Sequence, residues 1–391
     1  MKNLLLSFLA RDWAGLAIAA LVLLAGAVLA SGSGMLLSVL GLVLVLLGVL
    51  MALGATWHLV YIGRVRARHP APGKLVDVGG FRMHVLAERD ARDQPPIVRF
   101  PGTHIGSFGY HHMHRVFRQE ARSILIDRPG TGWSDAGPFP RTTEREAHEV
   151  VRALEAAGER GPFVFAGHSF GGLLVANIAR RYPQLVSTLV LLDPTPPDTI
   201  IYGPRLGGLR EMKRGACITL ARHLFGLHDD WRTKVAMRRP DYAVLIERTR
   251  AVLGPEFEVA HAVEKNTASP CAEVSIYEEL SPEGMARAGW DLCVYDGDLE
   301  GVKVLLVAPG DMVEFEHLPE AAAALQAGDA KAQEVRRMRR FFATTRERYM
   351  ATSRQAQRVY APQGTGHNFP YENPDFVAEV VRGCLRSQAG T

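Results

Sequence analysis

Charge is missing from one long part of this sequence. Residues 13–63 contain no Asp, Glu, Lys or Arg, and a stretch of that length without charge excludes a simple soluble protein. Cysteine is scarce as well. Cys217, Cys271, Cys293 and Cys384 are the four present, with no short spacing that would suggest a metal site or a thiol–disulfide motif. A chain of 391 residues does not need disulfide staples, and this usage is compatible with a reducing compartment. No excess of either charge exists: the net charge is +4 with 22% charged residues, which excludes a disordered acidic or basic tail and gives no case for nucleic-acid binding. Gly130 and Gly132 are not part of a G-x-G-x-x-G opening a helix, and no Walker lysine follows, so a nucleotide site is not expected.

What fills the uncharged stretch is apolar. Residues 13–30 form one run, Ser31-Gly32-Ser33-Gly34 breaks it, and residues 35–57 form a second. At ~1.5 Å per residue these make helices of roughly 27 and 35 Å, against a hydrocarbon core about 30 Å thick. Two transmembrane helices are therefore expected. A signal peptide has a shorter apolar core, and the second run would stay in the membrane in any case. Lys2 and Arg11 precede the first run, whereas Arg64, Arg66, Arg68 and Lys74 follow the second. The positive-inside bias puts both ends and the large domain in the cytoplasm, with Trp57 and Tyr61 as interfacial anchors.

Beyond residue 68 the length allows one large domain with an insertion or two smaller ones. His69-Pro70-Ala71-Pro72 is a stiff link. Residues 74–78 and 81–87 read as a hairpin around Gly79-Gly80, followed by strands at 97–100, 123–126, 163–166 and 186–192. Helical segments at 143–157 and 171–181 separate the later ones. Short strands nearly free of polar residues, alternating with helices, predict an α/β fold with a mostly parallel sheet covered on both faces. The alternation stops at residue 195. Helix-like pieces (206–227, 231–237, 242–252 and 282–288) fill the next hundred or so residues, and strands return at 302–307 and 358–361. The expected organisation is a membrane anchor at 1–68, the first part of the core at 69–194, a helical cap at 195–300, and the second part of the core at 301–391. The last part carries a charged helical insertion at about 312–357, with helices at 320–326 and 330–349.

The strongest chemical signal is Gly167-His168-Ser169-Phe170-Gly171, between the strand at 163–166 and a helix. A serine at so sharp a strand-to-helix turn projects its hydroxyl clear of the sheet, and the flanking glycines permit the close approach the turn needs. Ser169 is the candidate nucleophile; the plainer alternative is a helix N-cap. A serine needs a base. His367, in Gly364-Thr365-Gly366-His367-Asn368-Phe369, follows the last predicted strand, and loops leaving the C-terminal ends of parallel strands converge on one crevice. The acid that orients the base is expected at Asp311, after the strand at 302–307, with Asp193 as the alternative and Glu314 and Glu316 as further candidates. Oxyanion donors are expected from the backbone N–H of Phe170 and of Thr103, the latter in Pro101-Gly102-Thr103-His104.

These residues resemble the α/β-hydrolase superfamily, in its branch of cap-bearing serine hydrolases. Asp127-Arg128-Pro129-Gly130-Thr131-Gly132-Trp133-Ser134-Asp135 looks like the stretch after the family's fourth strand, Val190-Leu191-Leu192-Asp193-Pro194 like the end of its sixth, and Gly366-His367 like its histidine loop. The resemblance covers residues 73 to about 385. It implies two-step acyl transfer without a cofactor or metal: Ser169 attacks a carbonyl, His367 takes and returns the proton, and water releases the acid. It does not single out a substrate. Such proteins include esterases, lipases, proline-directed aminopeptidases, carbon–carbon bond hydrolases and cofactor-free haloperoxidases. Dehalogenases and epoxide hydrolases of this fold use an aspartate nucleophile, which Ser169 argues against.

Two departures stand out. Pro101-Gly102 replaces the family's usual His-Gly, and the interval from Asp311 to His367 is well beyond the usual one. Location near a membrane favours lipophilic esters. The alternatives are an amide, thioester or carbon–carbon bond hydrolase of the same fold, or a non-catalytic membrane-tethered scaffold. His111-His112-Met113-His114 lacks ligand spacing for a metal and reads as a wet helix face or pocket lining. Arg336, Arg337, Arg339 and Arg340 form a basic patch suited to anionic lipid or to solvent.

Overall fold

The computed structural model describes residues 1–89, 94–102, 106–119, 121–195, 206–228, 231–238, 240–281, 297–310, 323 and 325–386. Three helices open the chain: α1 (Lys2–Leu9), α2 (Ala14–Ala30) and α3 (Met35–Arg68). The pair α2 and α3 forms a close antiparallel hairpin. A Cβ on Gly26 would lie 2.7 Å from the amide nitrogen of Val45, and one on Gly41 would meet the backbone of Ala30, so only glycine admits this approach. By length and composition α3 is apolar enough to cross a membrane, with a window of mean hydropathy 3.0. The first run behaves differently from the expectation: α2 has 17 residues and reaches spanning length only when joined to α1 across a 104° bend.

The sheet is built from β1 (Lys74–Asp77), β2 (Arg82–Glu88), β3 (Ile97–Phe100), β4 (Ser123–Ile126), β5 (Phe163–His168), β6 (Val186–Leu192), β7 (Lys303–Ala308) and β8 (Ala356–Tyr360). Its order is β1-β2-β4-β3-β5-β6-β7-β8. β1 and β2 run antiparallel to their neighbours, and all pairs from β4 to β8 are parallel. The expected hairpin is present, turning at Gly79 and Gly80 with φ of 116° and 91°.

Both faces of the sheet are covered, as near-continuous apolar strands require. On one, Val98, Phe100, Phe165 and Leu189 pack against α5 (Thr143–Ala157) and α6 (Phe170–Arg181); on the other, Ile97, Val164 and Val190 pack against α4 (His111–Phe117) and the helix that ends the described chain.

Between β6 and β7 lies a helical cap: α7 (Leu206–Leu224), α8 (Trp231–Ala236), α9 (Pro240–Leu253), α10 (Glu256–Thr267) and α11 (Pro270–Glu279). The helix expected to run to residue 227 stops at Leu224, because Gly226 takes φ of 71° and turns the chain. α10 and α11 were not among the expected helices, although Ser269-Pro270 is a helix-start signal. The helix expected at 282–288 and most of that at 320–326 lie outside the described residues. The connection between β7 and β8 carries α12 (Ala330–Ala351), N-capped by the Asp329 side chain, which accepts from Ala332 N at 2.7 Å. After β8 come α13 (Phe369–Glu372) and α14 (Pro374–Arg386).

Candidate active site

Ser169 stands between the last residue of β5 and the first of α6 with φ of 53° and ψ of −120°, a conformation that non-glycine residues avoid. The turn holds because its neighbours leave no room for anything else. A Cβ on Gly167 would meet the backbone of Gly171, and one on Gly171 would lie 2.5 Å from the carbonyl of Pro101. Ser169 N donates to Leu192 O and Thr195 N donates to Ser169 O, which ties the turn to the end of β6. The hydroxyl lies 3.4 Å from that of Thr195.

His367 follows β8 and reaches across β7 to the end of β6. Its Nδ1 lies 2.7 Å from Oδ2 of Asp193, which leaves Nε2 free of the carboxylate. Asp193 is the alternative acid of the sequence reading, not the favoured one. Asp311, Glu314 and Glu316 lie outside the described residues, so the contact to His367 observed here is made by the acid after β6. Asp193 has φ of 41°, and its amide donates to Val307 O, so its side chain is aimed by the end of the sheet itself. Its other oxygen, Oδ1, is 2.6 Å from Arg346 Nη2 of α12. Burial alone would raise the Asp193 carboxyl. The hydrogen bond and charge of His367, together with the Arg346 guanidinium, outweigh it and hold Asp193 below the usual carboxylate range.

His168 went unassigned in the sequence, although it sits inside the serine motif. Its Nε2–H donates to the carbonyl of His367 at 2.8 Å, and the two rings lie 4.7 Å apart. Burial, with His367 beside it, pushes His168 down to about 3, so it is neutral and serves as a fixed donor under the loop of His367.

The loop after β3 abuts the serine, since a Cβ on Gly102 would lie 2.9 Å from Cβ of Ser169. Thr103 lies outside the described residues. Phe170 N is the first amide of α6, a position with no partner inside its own helix. Asp127, at the end of β4, accepts from Ser107 N at 2.6 Å, Trp133 N at 3.0 Å and His84 Nδ1 at 2.9 Å. This buried carboxylate holds the glycine-rich stretch after β4 against the loop after β3. Glu264 of the cap accepts from Gly106 N at 2.7 Å at the same junction, and burial pushes it up to about 8.

A cavity of about 1290 Å³ lies beneath the cap, bounded by Phe108, Trp133, Leu227, Val244, Phe257 and Tyr371. Asn368, the residue after His367, is part of its wall, whereas Ser169, Asp193 and His367 themselves do not line it. Of the wet helix face or pocket lining expected of the histidines at 111–114, His112 and His114 give neither. His112 and His114 are buried; His114 Nδ1 faces Ser123 Oγ at 2.7 Å, and His112 Nε2 faces the carbonyl of Pro370 at 3.3 Å. Their spacing turns them into the core because α4 packs onto β4.

Comparison with known proteins agrees with this fold. A profile described as the alpha/beta hydrolase family matches residues 97–380. Among curated relatives, the Bacillus subtilis protein YbdG is 24% identical over 158 residues, 40% of this chain and 48% of its own. A putative non-heme haloperoxidase of Mycobacterium phage D29 is 32% identical over 30% of this chain and 42% of its own. A (lyso)-N-acylphosphatidylethanolamine lipase of Bos taurus is 30% identical over 28% and 33%. The chain thus spans less than half the length of these relatives. Among solved structures, an epoxide hydrolase of Bacillus megaterium superposes with a TM-score of 0.53 at 13% identity, covering 80% of this chain and all of that one. A thermophilic esterase of Thermogutta terrifontis superposes with a TM-score of 0.50 at 18% identity, covering 80% and 97%. These similarities concern the fold.

Proposed function

The chain belongs to the alpha/beta hydrolase family, and on that premise we propose that it is a membrane-anchored serine hydrolase that cleaves a lipophilic carboxylic ester through an acyl-enzyme. The observation that carries the reading is the 2.7 Å contact of His367 Nδ1 with Asp193, at the same sheet edge as a serine held at positive φ. With Nδ1 committed to the carboxylate, Nε2 is the nitrogen left to accept the Ser169 proton once the hydroxyl turns from Thr195 Oγ1, its hydrogen-bond partner in this structure. Ser169 Oγ then bonds to the acyl carbon, and the charge developing on the carbonyl oxygen is met by the N–H groups of Phe170 and Thr103. His367 returns the proton to the departing alcohol. A water attacks the acyl-enzyme with the same base, and the carboxylic acid leaves. Asp193 keeps the imidazole in the required tautomer and steadies its charged form.

The lipophilic substrate is supported by the apolar N-terminal runs at 13–30 and 35–57, by the size of the cavity, and by a relative named as a lipase. The domain facing the cytoplasm is supported by the basic residues that flank these runs. The test is labelling of the full-length, detergent-solubilised protein with a fluorophosphonate probe. Labelling of wild type that is lost in folded Ser169→Ala and His367→Ala supports an activated nucleophile, and a panel of esters of rising chain length then reads the substrate preference. A folded wild type that takes no label refutes it.

A further inference from the structure

The turn that ends α7 rests on the apolar part of the N-terminal hairpin. A Cβ on Gly54 of α3 would meet the carbonyl of Phe225, one on Gly226 would meet that of Gly54, and one on Gly15 of α2 would lie 2.8 Å from the carbonyl of Leu224. These are backbone-to-backbone contacts, so the height of the turn along the hairpin is fixed. Gly15 and Gly54 both belong to the uncharged stretch. Gly54 stands three residues before Trp57, which at ~1.5 Å per residue places the contact about 5 Å on the apolar side of that aromatic.

At this height Phe225 and Leu227 are 42% and 51% exposed, and Ile218, Val235 and Val244 continue the exposed apolar side chains over α7 to α9. Among the described residues of the same segment Arg210, Arg214, Lys234 and Arg238 are exposed, against the exposed acids Glu211 and Glu247. The segment also walls the cavity through Arg222, His223, Leu227 and His228, and His228 Nε2 lies 3.0 Å from His58 Nδ1 of α3.

We propose that the Phe225–Leu227 turn and the adjoining apolar face of the cap enter the interfacial region of the bilayer, so that the cavity receives its ester laterally from the lipid leaflet. This rests on the membrane-anchor reading above. An apolar face edged by basic side chains is what an anionic bilayer surface accepts, and its continuity with the hairpin names the bilayer as its occupant.

The test places the photo-crosslinker p-benzoylphenylalanine singly at positions 46, 225 and 360 of the full-length protein, reconstituted in vesicles of equal parts phosphatidylcholine and phosphatidylglycerol. Leu46 is exposed in the middle of α3, and Tyr360 is exposed on β8. Lipid adducts at 46 and 225 but not at 360 are expected. Adducts at 46 alone overturn the inference and leave the anchor standing. Absence at 46 overturns the anchor and the inference with it, and equal adducts at 225 and 360 mean unspecific adhesion and overturn it too. A second measurement uses Val235→Asp, outside the cavity wall. It is expected to lower hydrolysis of a vesicle-borne long-chain ester by about tenfold, while a soluble short-chain ester stays within about twofold of wild type. Equal loss on both substrates counts against the route.

Discussion

Arg346 Nη2 lies 2.6 Å from Oδ1 of Asp193, while Oδ2 of the same carboxylate lies 2.7 Å from Nδ1 of His367. Arg346 comes from α12, inside the long connection between β7 and β8, so the segment that lengthens the interval before His367 also supplies a cation to the acid. Tyr349, one turn further along α12, donates its hydroxyl to Thr195 O at 3.1 Å, which braces the same strand end. One carboxylate thus bonds the His367 imidazole and a buried guanidinium together.

The first consequence concerns which acid matters. Asp193→Asn should lower kcat by as much as about 10⁴-fold, since an amide at this place no longer enforces the tautomer that leaves Nε2 unprotonated. Asp311→Asn should stay within about tenfold of wild type. Kinetics of both variants on one soluble ester decide it, and the reverse order would return the role to Asp311.

Arg346 is a positioning residue, acting through Asp193. Its positive charge and hydrogen bond help keep the Asp193 carboxyl ionised, so Arg346→Gln should move the acid limb of kcat/KM toward higher pH, by on the order of half a unit to one unit. KM should change little. Arg346→Lys should restore most of the wild-type profile. A lower rate at every pH with an unmoved limb would mean that Arg346 acts on folding alone.

Gly171→Ala introduces a Cβ 2.5 Å from Pro101 O and 2.6 Å from Phe100 O, both backbone atoms that cannot swing aside. The variant should lose about 2 kcal/mol or more of stability, as overpacking does, and label poorly with the fluorophosphonate probe. Thermal unfolding monitored by circular dichroism checks the first expectation; an unchanged Tm would contradict the packing of the serine turn.

Glu279 of the cap accepts from Thr143 N at 2.9 Å at the start of α5. Burial pushes it up to about 8, the Thr143 amide pulling the other way and Glu146 adding to the rise. In the unfolded chain the carboxyl ionises near 4.5. Between these values the native state holds a proton that the unfolded state has released, so the stabilising contribution is full below about 4.5 and is lost as pH rises toward 8. Glu279→Gln should flatten the fall of Tm between pH 5 and 8, by on the order of 1 kcal/mol or more at the upper end. Parallel curves for the two proteins would refute it.

The strand positions, the serine turn and the histidine loop were legible because each is a local pattern. Apolar strands alternate with amphipathic helices, and Gly167 and Gly171 flank Ser169 at the spacing a sharp turn demands. The uncharged stretch announced α2 and α3 for the same reason, a run of one chemistry along the chain. Three things had no local signature. The contact of Asp193 with His367 depends on which strand end the loop of His367 reaches, and that follows from the packing of β6 beside β5 and β7. The bond from Arg346 joins residues 153 positions apart, and nothing in the charged helical stretch at 330–349 singles out Arg346 as the residue that is buried. The contact of Gly54 with Phe225 brings the hairpin against the cap, and glycines in an apolar helix read equally as helix–helix spacing. Sequence determined which residue types stand at the ends of the strands; only the tertiary structure decided which of them meet, because meeting is set by strand order and by helices packed from far along the chain.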